Sequence, residues 1–487
     1  MNFNDEYKKV RNKIRSYRIN DLLGPIVSEI HQYEASPTVY MERQRLFLPW
    51  ILLYILKMTF LHGETNKPSK ELRENDFIKI YNKMHDLDGV YKKALLKDGV
   101  PSFLAAIASQ QFAFQRNLQR NDFARVNYLF SREEGALADL FRETNGLALV
   151  TYIELMVATY AIIEMSSNRG FYDFENTLTG VAPQEEIIAF FNLVSRSKSQ
   201  LRQELSNTGI KSSLLQFGEN SPLYKFPLLS IDDQFIPYGK TIFKKSLLFN
   251  LYEHAKRGGE ETNSELALRF ESYIGEVLSS SGATFFTEDQ IAATYNGKKT
   301  DFLVIEENTA IMIEAKSVRL RPYEMVNPTS SVVVNALEDN VLKAFFQGHE
   351  LSANLNVNEG NSIDNYILLI VTYDDMHVGP FNEAYNLWFG DYCNPKFESG
   401  ECQRGPLESE NVFIASIKEF EHLCACRNSE NGLTPLFERA IADNRDPETR
   451  KFMLSQSLPN QGANELPFIT EQFEGLWNRV IEKFKQD

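Results

Sequence analysis

The chain has 487 residues, 43% of them hydrophobic and 24% charged, with a formal net charge of −15. Such proportions fit a globular protein with roughly two to four domains and a sizeable core. Four cysteines are too few for a disulfide framework, and the charge is uneven: residues 1–258 hold 33 Lys+Arg against 29 Asp+Glu, residues 259–487 hold 18 against 37. The second half as a whole therefore repels nucleic acid, and any nucleic-acid ligand needs a positive surface elsewhere.

The opening residues MNFNDEYKKVRNKIRSYR are polar and lack an apolar signal region, so a cytoplasmic location is expected. The stretch LFLPWILLYILKMTFL (46–61) carries Pro49 and Lys57 and falls short of the ~20 residues of a membrane span, so it reads as a buried helix. Residues 1–200 show apolar spacings of three and four, as in INDLLGPIVSEIHQY and ALVTYIELMVATYAIIEM, and predict a mostly helical region. Asn- and Gly-rich breaks interrupt it at FLHGETNKPSK and MSSNRGFYDFENTLTG. Residues 213–257 predict a short hairpin followed by a helix. Gly239-Lys240-Thr241 within it lacks the earlier glycine of a phosphate loop, since position 234 is Gln. Lys240 reads as a surface charge.

Gly258-Gly259 opens the polar stretch GGEETNSE, where a domain boundary is expected. The expected division is a helical domain over 1–210, a connecting hairpin-helix module over 211–258, and an α/β domain over 259–487 with a C-terminal helical extension. SELALRFESYIGEVLSS predicts an amphipathic helix with Ser264 as N-cap and Leu266, Phe270, Ile274 and Val277 on one stripe. Glu271 borders that stripe, whereas Glu276 falls on the polar side with Arg269 and Ser279. Two apolar runs in DFLVIEENTAIMIEAKS (301–317) follow, then a helix near 331–351, a buried strand in YILLIVTYDD (366–375), and a strand and helix from NVFIASI (411–417) onward. This order predicts a mixed sheet covered by helices. Cys424-Ala-Cys426 with His422 lacks zinc-ligand spacing and reads as free thiols.

The 301–317 stretch carries chemistry. A two-residue turn at Glu307-Asn308, with Asn in the left-handed region, pairs 306 with 309 and sets Asp301 opposite Glu314. Opposed residues share a face with Cβ atoms ~5 Å apart, and Lys316 joins that face two residues on. Two such carboxylates repel, so one takes a proton or a cation sits between them. A hard divalent ion suits oxygen ligands, and a nearby lysine can orient water or offset phosphate charge. This is equipment for metal-assisted phosphodiester hydrolysis. A purely structural network, with Lys316 neutralising two strand-end carboxylates, remains the alternative.

Asp301 followed by Glu314-Ala315-Lys316, set in Phe-Leu-Val-Ile and Ile-Met-Ile, resembles the PD-(D/E)XK nuclease superfamily, with Thr300 where that pattern has Pro. Phe270-Glu271-Ser272-Tyr273-Ile274 matches the glutamate-bearing helix of such nucleases, and Gln347 in KAFFQGHEL matches a glutamine after the third strand. The QxxxY form is not met, because residue 351 is Leu. The resemblance spans about residues 260–425. It implies a restriction-endonuclease-like fold and a site of Asp301, Glu314, Lys316, Glu271 and Gln347. Asp301, Glu314 and Glu271 would hold Mg²⁺ or Mn²⁺. It further implies DNA in preference to RNA as substrate, endonucleolytic rather than exonucleolytic cleavage, a 5′-phosphate product, and by analogy a role in prokaryotic defence against phage or plasmid DNA.

Lys316, Arg319, Arg321 and Lys343 are the candidate nucleic-acid contacts beside the site. Lys240, Lys244, Lys245, Lys256 and Arg257 of the connector could extend them, as could the N-terminal run from Lys8 to Arg18. That run also reads as the solvated face of a helix. The acidic second half suggests that a partner subunit or an activating signal admits the substrate, and a homo-oligomer or a partner subunit is the expected assembly. No membrane partner is expected. A catalytically silent nuclease-like module that binds DNA or assembles with other subunits is the competing expectation.

Overall fold

The computed structural model describes residues 3–43, 46–64, 70–114, 120–166, 170–207, 222–232, 234–321, 324, 329–358, 362–446, 448–459 and 465–485. The 213–221 start of the connector and the polar breaks at 65–69 and 167–169 lie outside them. The described part of 3–207 is helical apart from strand β1 (Ser195–Arg196), which pairs in parallel with β2 (Leu228–Ile231); β2 pairs antiparallel with β3 (Gln234–Pro237). The helix Lys240–Arg257 follows, and its first amides are capped from far upstream: Glu34 accepts from Lys240 N at 2.7 Å and Thr241 N at 2.9 Å. The Gly-Lys-Thr triplet thus heads a helix whose N-terminus a carboxylate of the chain already fills. Lys240 pairs with Glu164 at 2.9 Å.

The second sheet has five strands in sequence order: β4 (Phe286–Thr287), β5 (Phe302–Glu306), β6 (Thr309–Lys316), β7 (Asn365–Thr372) and β8 (Val412–Ser416). The first three are antiparallel neighbours, and β6, β7 and β8 run parallel. Parallel neighbours need crossovers, and helices supply them: Ser330–Leu337 and Lys343–Asn358 between β6 and β7, and Gly390–Glu398 among those between β7 and β8. The chain is therefore a helical region joined to a helix-covered mixed sheet.

Strand alternation sorts the side chains onto two faces. Phe302, Val304, Ile311, Ile313, Leu369 and Ala415 face one core with the helices Glu260–Ser280 and Ile417–Cys426. Leu303, Ala310, Met312, Leu368 and Ile370 face the other with the Lys343–Asn358 helix. Gly275 lets the Glu260–Ser280 helix settle on β5, since a Cβ there would lie 3.3 Å from the Phe302 ring. The helical region contributes to more than one core. Residues from Phe3 to Phe114 pack with Leu201–Ile242 side chains, whereas the helices Arg120–Phe130 and Leu149–Met165 join the sheet's own core.

Local expectations changed where distant elements intervene. The helix predicted from Ser264 begins at Glu260, because Gly259 (φ +84°) makes the break and Glu260 and Glu261 favour a helix N-terminus. Thr262 Oγ1 donates to Ala255 O at 2.6 Å and ties the two helices together. Arg269, expected on the polar side, is buried: it donates to Leu129 O at 2.8 Å and pairs with Glu265 beneath the covering helices. The helix expected over 331–351 starts at Ser330, winds through a π segment (Glu338–Leu342) and continues to Asn358. The apolar 46–61 stretch supplies the buried Pro49–His62 helix. Among the described residues no single helix is long and apolar enough to cross a membrane. One pair, Ala136–Asn145 and Leu149–Met165, has that length and composition together but is bent by 73°.

One buried ion network ties the helical region to the sheet layer. Arg125 bonds Asp122 at 3.0 Å and Glu421 at 2.7 Å, and Glu421 also accepts from Tyr273 Oη at 2.8 Å and Asn121 Nδ2 at 2.9 Å. Burial pushes the Glu421 carboxyl up, and Arg125 opposes that. Removing one partner strands the other charge in low dielectric. Arg125→Met should therefore destabilise the chain by about 3–5 kcal/mol in urea unfolding, whereas replacing the exposed Arg321 should change little.

Candidate active site

The β5–β6 hairpin sets the geometry. Its ladder runs from Glu306↔Thr309 at the turn to Phe302↔Ile313, which places Asp301 across from Glu314. The turn residues are Glu307 and Asn308, but the left-handed one is Glu307 (φ +52°), not Asn308. Asn308 is instead occupied with β7: its carbonyl accepts from Asp364 N at 2.8 Å, and its Nδ2 donates to Asp364 Oδ2 at 2.7 Å. That cross-link fixes where β7 begins beside β6.

At the far end, Asp301 Oδ2 accepts from Ala315 N at 2.6 Å, so its carboxylate is docked on the strand bearing Glu314 and Lys316. Glu314 is 1% exposed. One of its oxygens is paired with Lys316 Nζ, and the other, Oε2, is buried with no hydrogen-bond partner. Burial first, then the Asp301 charge, pushes the Glu314 carboxyl up to about 7, with Lys316 opposing. Burial also raises Asp301, against its hydrogen bond from Ala315 and the Lys316 charge. Both carboxyls are held away from their ordinary range by desolvation and like charge.

Glu271 is half-buried, and burial followed by the Asp301 charge raises it too, whereas Glu276 is exposed. It approaches from the helix on the opposite face of the sheet. Gln347 stands on the Lys343–Asn358 helix and donates Nε2–H to Lys299 O at 3.1 Å, two residues before Asp301; its Oε1 is buried and unpartnered. Glu288, at the head of the short Glu288–Thr294 helix, raises both Asp301 and Glu271. This third acidic neighbour carried no motif in the sequence. Only the pairing of β4 with β5 (Thr287↔Phe302) reveals it.

The donor set suits a hard cation held by one or two carboxylates with water completing its shell. Glu314 Oε2 is an orphaned buried acceptor, and Asp301 is its like-charged neighbour. Among the described residues no three His, Cys, Asp or Glu side chains are grouped as a preformed cage. Glu271, on the helix of the other layer, is near enough for the Asp301 charge to raise its carboxyl.

The candidate nucleic-acid contacts separate. Lys316 is at the pair. Arg319 is turned inward, paired with Glu253 and laid over Phe249 and Tyr252 with its guanidinium carbon 4.6 and 4.4 Å from the ring centroids. Arg321 is exposed and 3.6 Å from Glu324, and Lys343 is exposed. The N-terminal cations Lys8 to Lys13 ride on the Phe3–Ile14 helix of the other core, with Arg15 and Arg18 just after it; Lys9 pairs with Glu6 at 2.7 Å and Lys13 with Asp76 at 3.7 Å. The structure does not bring that run to the carboxylates. Cys424 and Cys426 are buried thiols, and His422 Nε2 lies 3.1 Å from Pro459 O.

The raised Glu314 sets a pH dependence. A group whose folded pKa lies above its unfolded value binds more protons when folded, so its stabilising contribution is present below its ordinary pKa of 4.5 and is lost as pH rises through about 7. Asp301 acts in the same direction. In chelator-treated protein, thermal unfolding should show stability falling between pH 4.5 and 7, and Glu314→Gln should flatten that fall and raise the melting temperature at pH 8.

No protein family model matches this chain, and no curated protein sequence matches it.

Proposed function

We propose that the chain is a metal-dependent nuclease of the PD-(D/E)XK type that hydrolyses phosphodiester bonds, in DNA rather than RNA. The observation that carries this reading is the buried Asp301–Glu314 pair with Lys316 on the same strand end. The five-strand order, two antiparallel steps and then two parallel ones, supports a restriction-endonuclease-like arrangement, with the Glu271 helix before the hairpin and the Gln347 helix after it.

In this reading Asp301 and Glu314 hold Mg²⁺ or Mn²⁺, with Glu271 acting on its water shell. Once bound, the cation supplies charge stabilisation at the phosphate and makes a coordinated water more acidic. Lys316, paired with Glu314, would orient the attacking water and offset charge on a phosphate oxygen. Gln347 holds the segment leading into Asp301 through Lys299 O, which limits drift of that carboxylate. A 5′-phosphate product and a role in prokaryotic defence are the corresponding proposals, the latter by analogy. A second reading is favoured by one observation. Lys316 is closed onto Glu314, and among the described residues no third carboxylate is grouped with the pair as a preformed cage, as in a silent nuclease-like module that binds DNA or assembles with other subunits.

Incubation with linear, circular, single-stranded and double-stranded DNA and with RNA, in Mg²⁺ or Mn²⁺, tests the proposal. Cleavage of DNA should disappear with chelator. It should fall at least ~100-fold in Asp301→Ala, Glu314→Ala and Lys316→Ala, each folded by circular dichroism. Cleavage that survives all three changes would remove the assignment. DNA retention without cleavage by the unaltered chain would favour the silent module.

A further inference from the structure

A cleft lies where the helical region meets the carboxyl ends of the parallel strands. It is partly open to solvent. Open α/β sheets gather ligands outside the carboxyl ends of their strands. Arg319 follows β6, Tyr373 and Asp374 follow β7, and Lys418 follows β8. The Lys240–Arg257 helix closes the opposite side with Lys244, Lys245 and Phe249.

Among the side chains that line this cleft, cations outnumber carboxylates. Arg125, Lys244, Lys245, Arg319 and Lys418 line it against Asp374 and Asp375. Most of these cations have carboxylate partners already. Arg125 is held in the Asp122–Glu421 network, Lys244 and Lys418 share Asp122 at 3.3 and 3.6 Å, and Arg319 pairs with Glu253. Lys245 differs. Among the described residues it makes no ion pair, and its ammonium sits 5.0 Å from the centroid of the Tyr224 ring. Burial pulls both Lys244 and Lys245 down to about 8, with Lys418 and a further arginine adding repulsion at each. Such crowding is relieved by an anion. Aromatic rings make up much of the remaining wall: Phe112, Phe130, Tyr224, Phe249 and Tyr373. Flat apolar surface beside convergent ammonium groups suits a base carrying phosphate.

We infer that this cleft is a mononucleotide-binding site, with the phosphates on Lys245, Lys244 and Lys418 and the base against the aromatic wall. The site is separate from the carboxylate pair: neither Asp301, Glu314 nor Lys316 lines the cleft. The Lys244 side chain is 11% exposed, and the Lys240–Arg257 helix closes one side of the cleft, a recess that suits one nucleotide better than an extended strand. A hydrogen-bonded path nonetheless runs between the two sites. Tyr252 Oη donates to Ser317 O at 3.3 Å, accepts from Arg319 N at 3.2 Å, and so links the cleft wall to the residue after Lys316.

Isothermal titration of the full chain tests this, without added divalent ion and in a Glu314→Ala background so that any hydrolysis is separate. The probes are ATP, GTP, CTP, inorganic triphosphate and a ten-nucleotide single-stranded DNA. At least one nucleoside triphosphate should bind with Kd below about 100 μM, at least tenfold tighter than triphosphate. Lys245→Gln should weaken it at least tenfold. Lys418→Gln, at the more exposed rim, should weaken it severalfold and guards against misfolding of the first variant. No nucleotide heat at 1 mM, equal affinity for triphosphate, unchanged affinity in both variants, or Lys245-dependent binding of the DNA strand alone would each overturn the inference. None of these outcomes bears on cleavage by the carboxylate pair.

Discussion

The backbone ladder between β5 and β6 governs the candidate site, because it decides which side chains meet at its open end. With Glu306 paired to Thr309, Asp301 arrives opposite Glu314; a slip of one residue would send Glu314 to the other face. Both faces of the hairpin are buried, by Phe302, Val304, Ile311 and Ile313 on one side and Leu303, Ala310 and Met312 on the other. Neither face tolerates exchange without placing charge in a core. The apolar pattern therefore holds two carboxyls together against their mutual repulsion, and the tension at Glu314 is a product of packing elsewhere on the strand.

The parts of this arrangement that depend on neighbours in the chain were legible in the sequence. The turn position, the pairing of 301 with 314 and the shared face of Lys316 follow from alternation and turn length, and the hairpin has that register. The half-burial of Glu271 and the exposure of Glu276 follow from one helical stripe. What escaped depends on contacts across hundreds of residues. Arg269 looked solvated until the Arg120–Phe130 helix covered it, and the cap on the Lys240–Arg257 helix comes from Glu34. Glu288 bears on the site only because a two-residue strand pairs with β5. The left-handed turn residue was misplaced for a local reason. Asn308 is engaged by Asp364, so the conformational burden falls on Glu307.

Net charge proved a poor guide to local potential. The second half of the chain carries the acidic excess, yet its strand ends contribute Arg319 and Lys418 to a wall completed by lysines of the Lys240–Arg257 helix. Some of that acidity is held in pairs, as with Glu306 on Arg427 and Glu383 on Arg450. A ligand responds to the few unneutralised groups within a Debye length, not to the sum over the chain.

The π segment at Glu338–Leu342 has a consequence for the helix that carries Gln347. One extra residue in a turn shifts the angular phase of everything after it by about 100° relative to plain α winding. Val333 and Leu337 before the segment and Phe345 and Leu351 after it nonetheless enter the same core, so the packing is built around that shifted phase. Gln347, carried on the shifted phase, donates to the Lys299 carbonyl. The helix thus works as a keyed shaft: shortening the segment by one residue would leave either its apolar teeth or its glutamine out of mesh, but could not keep both engaged.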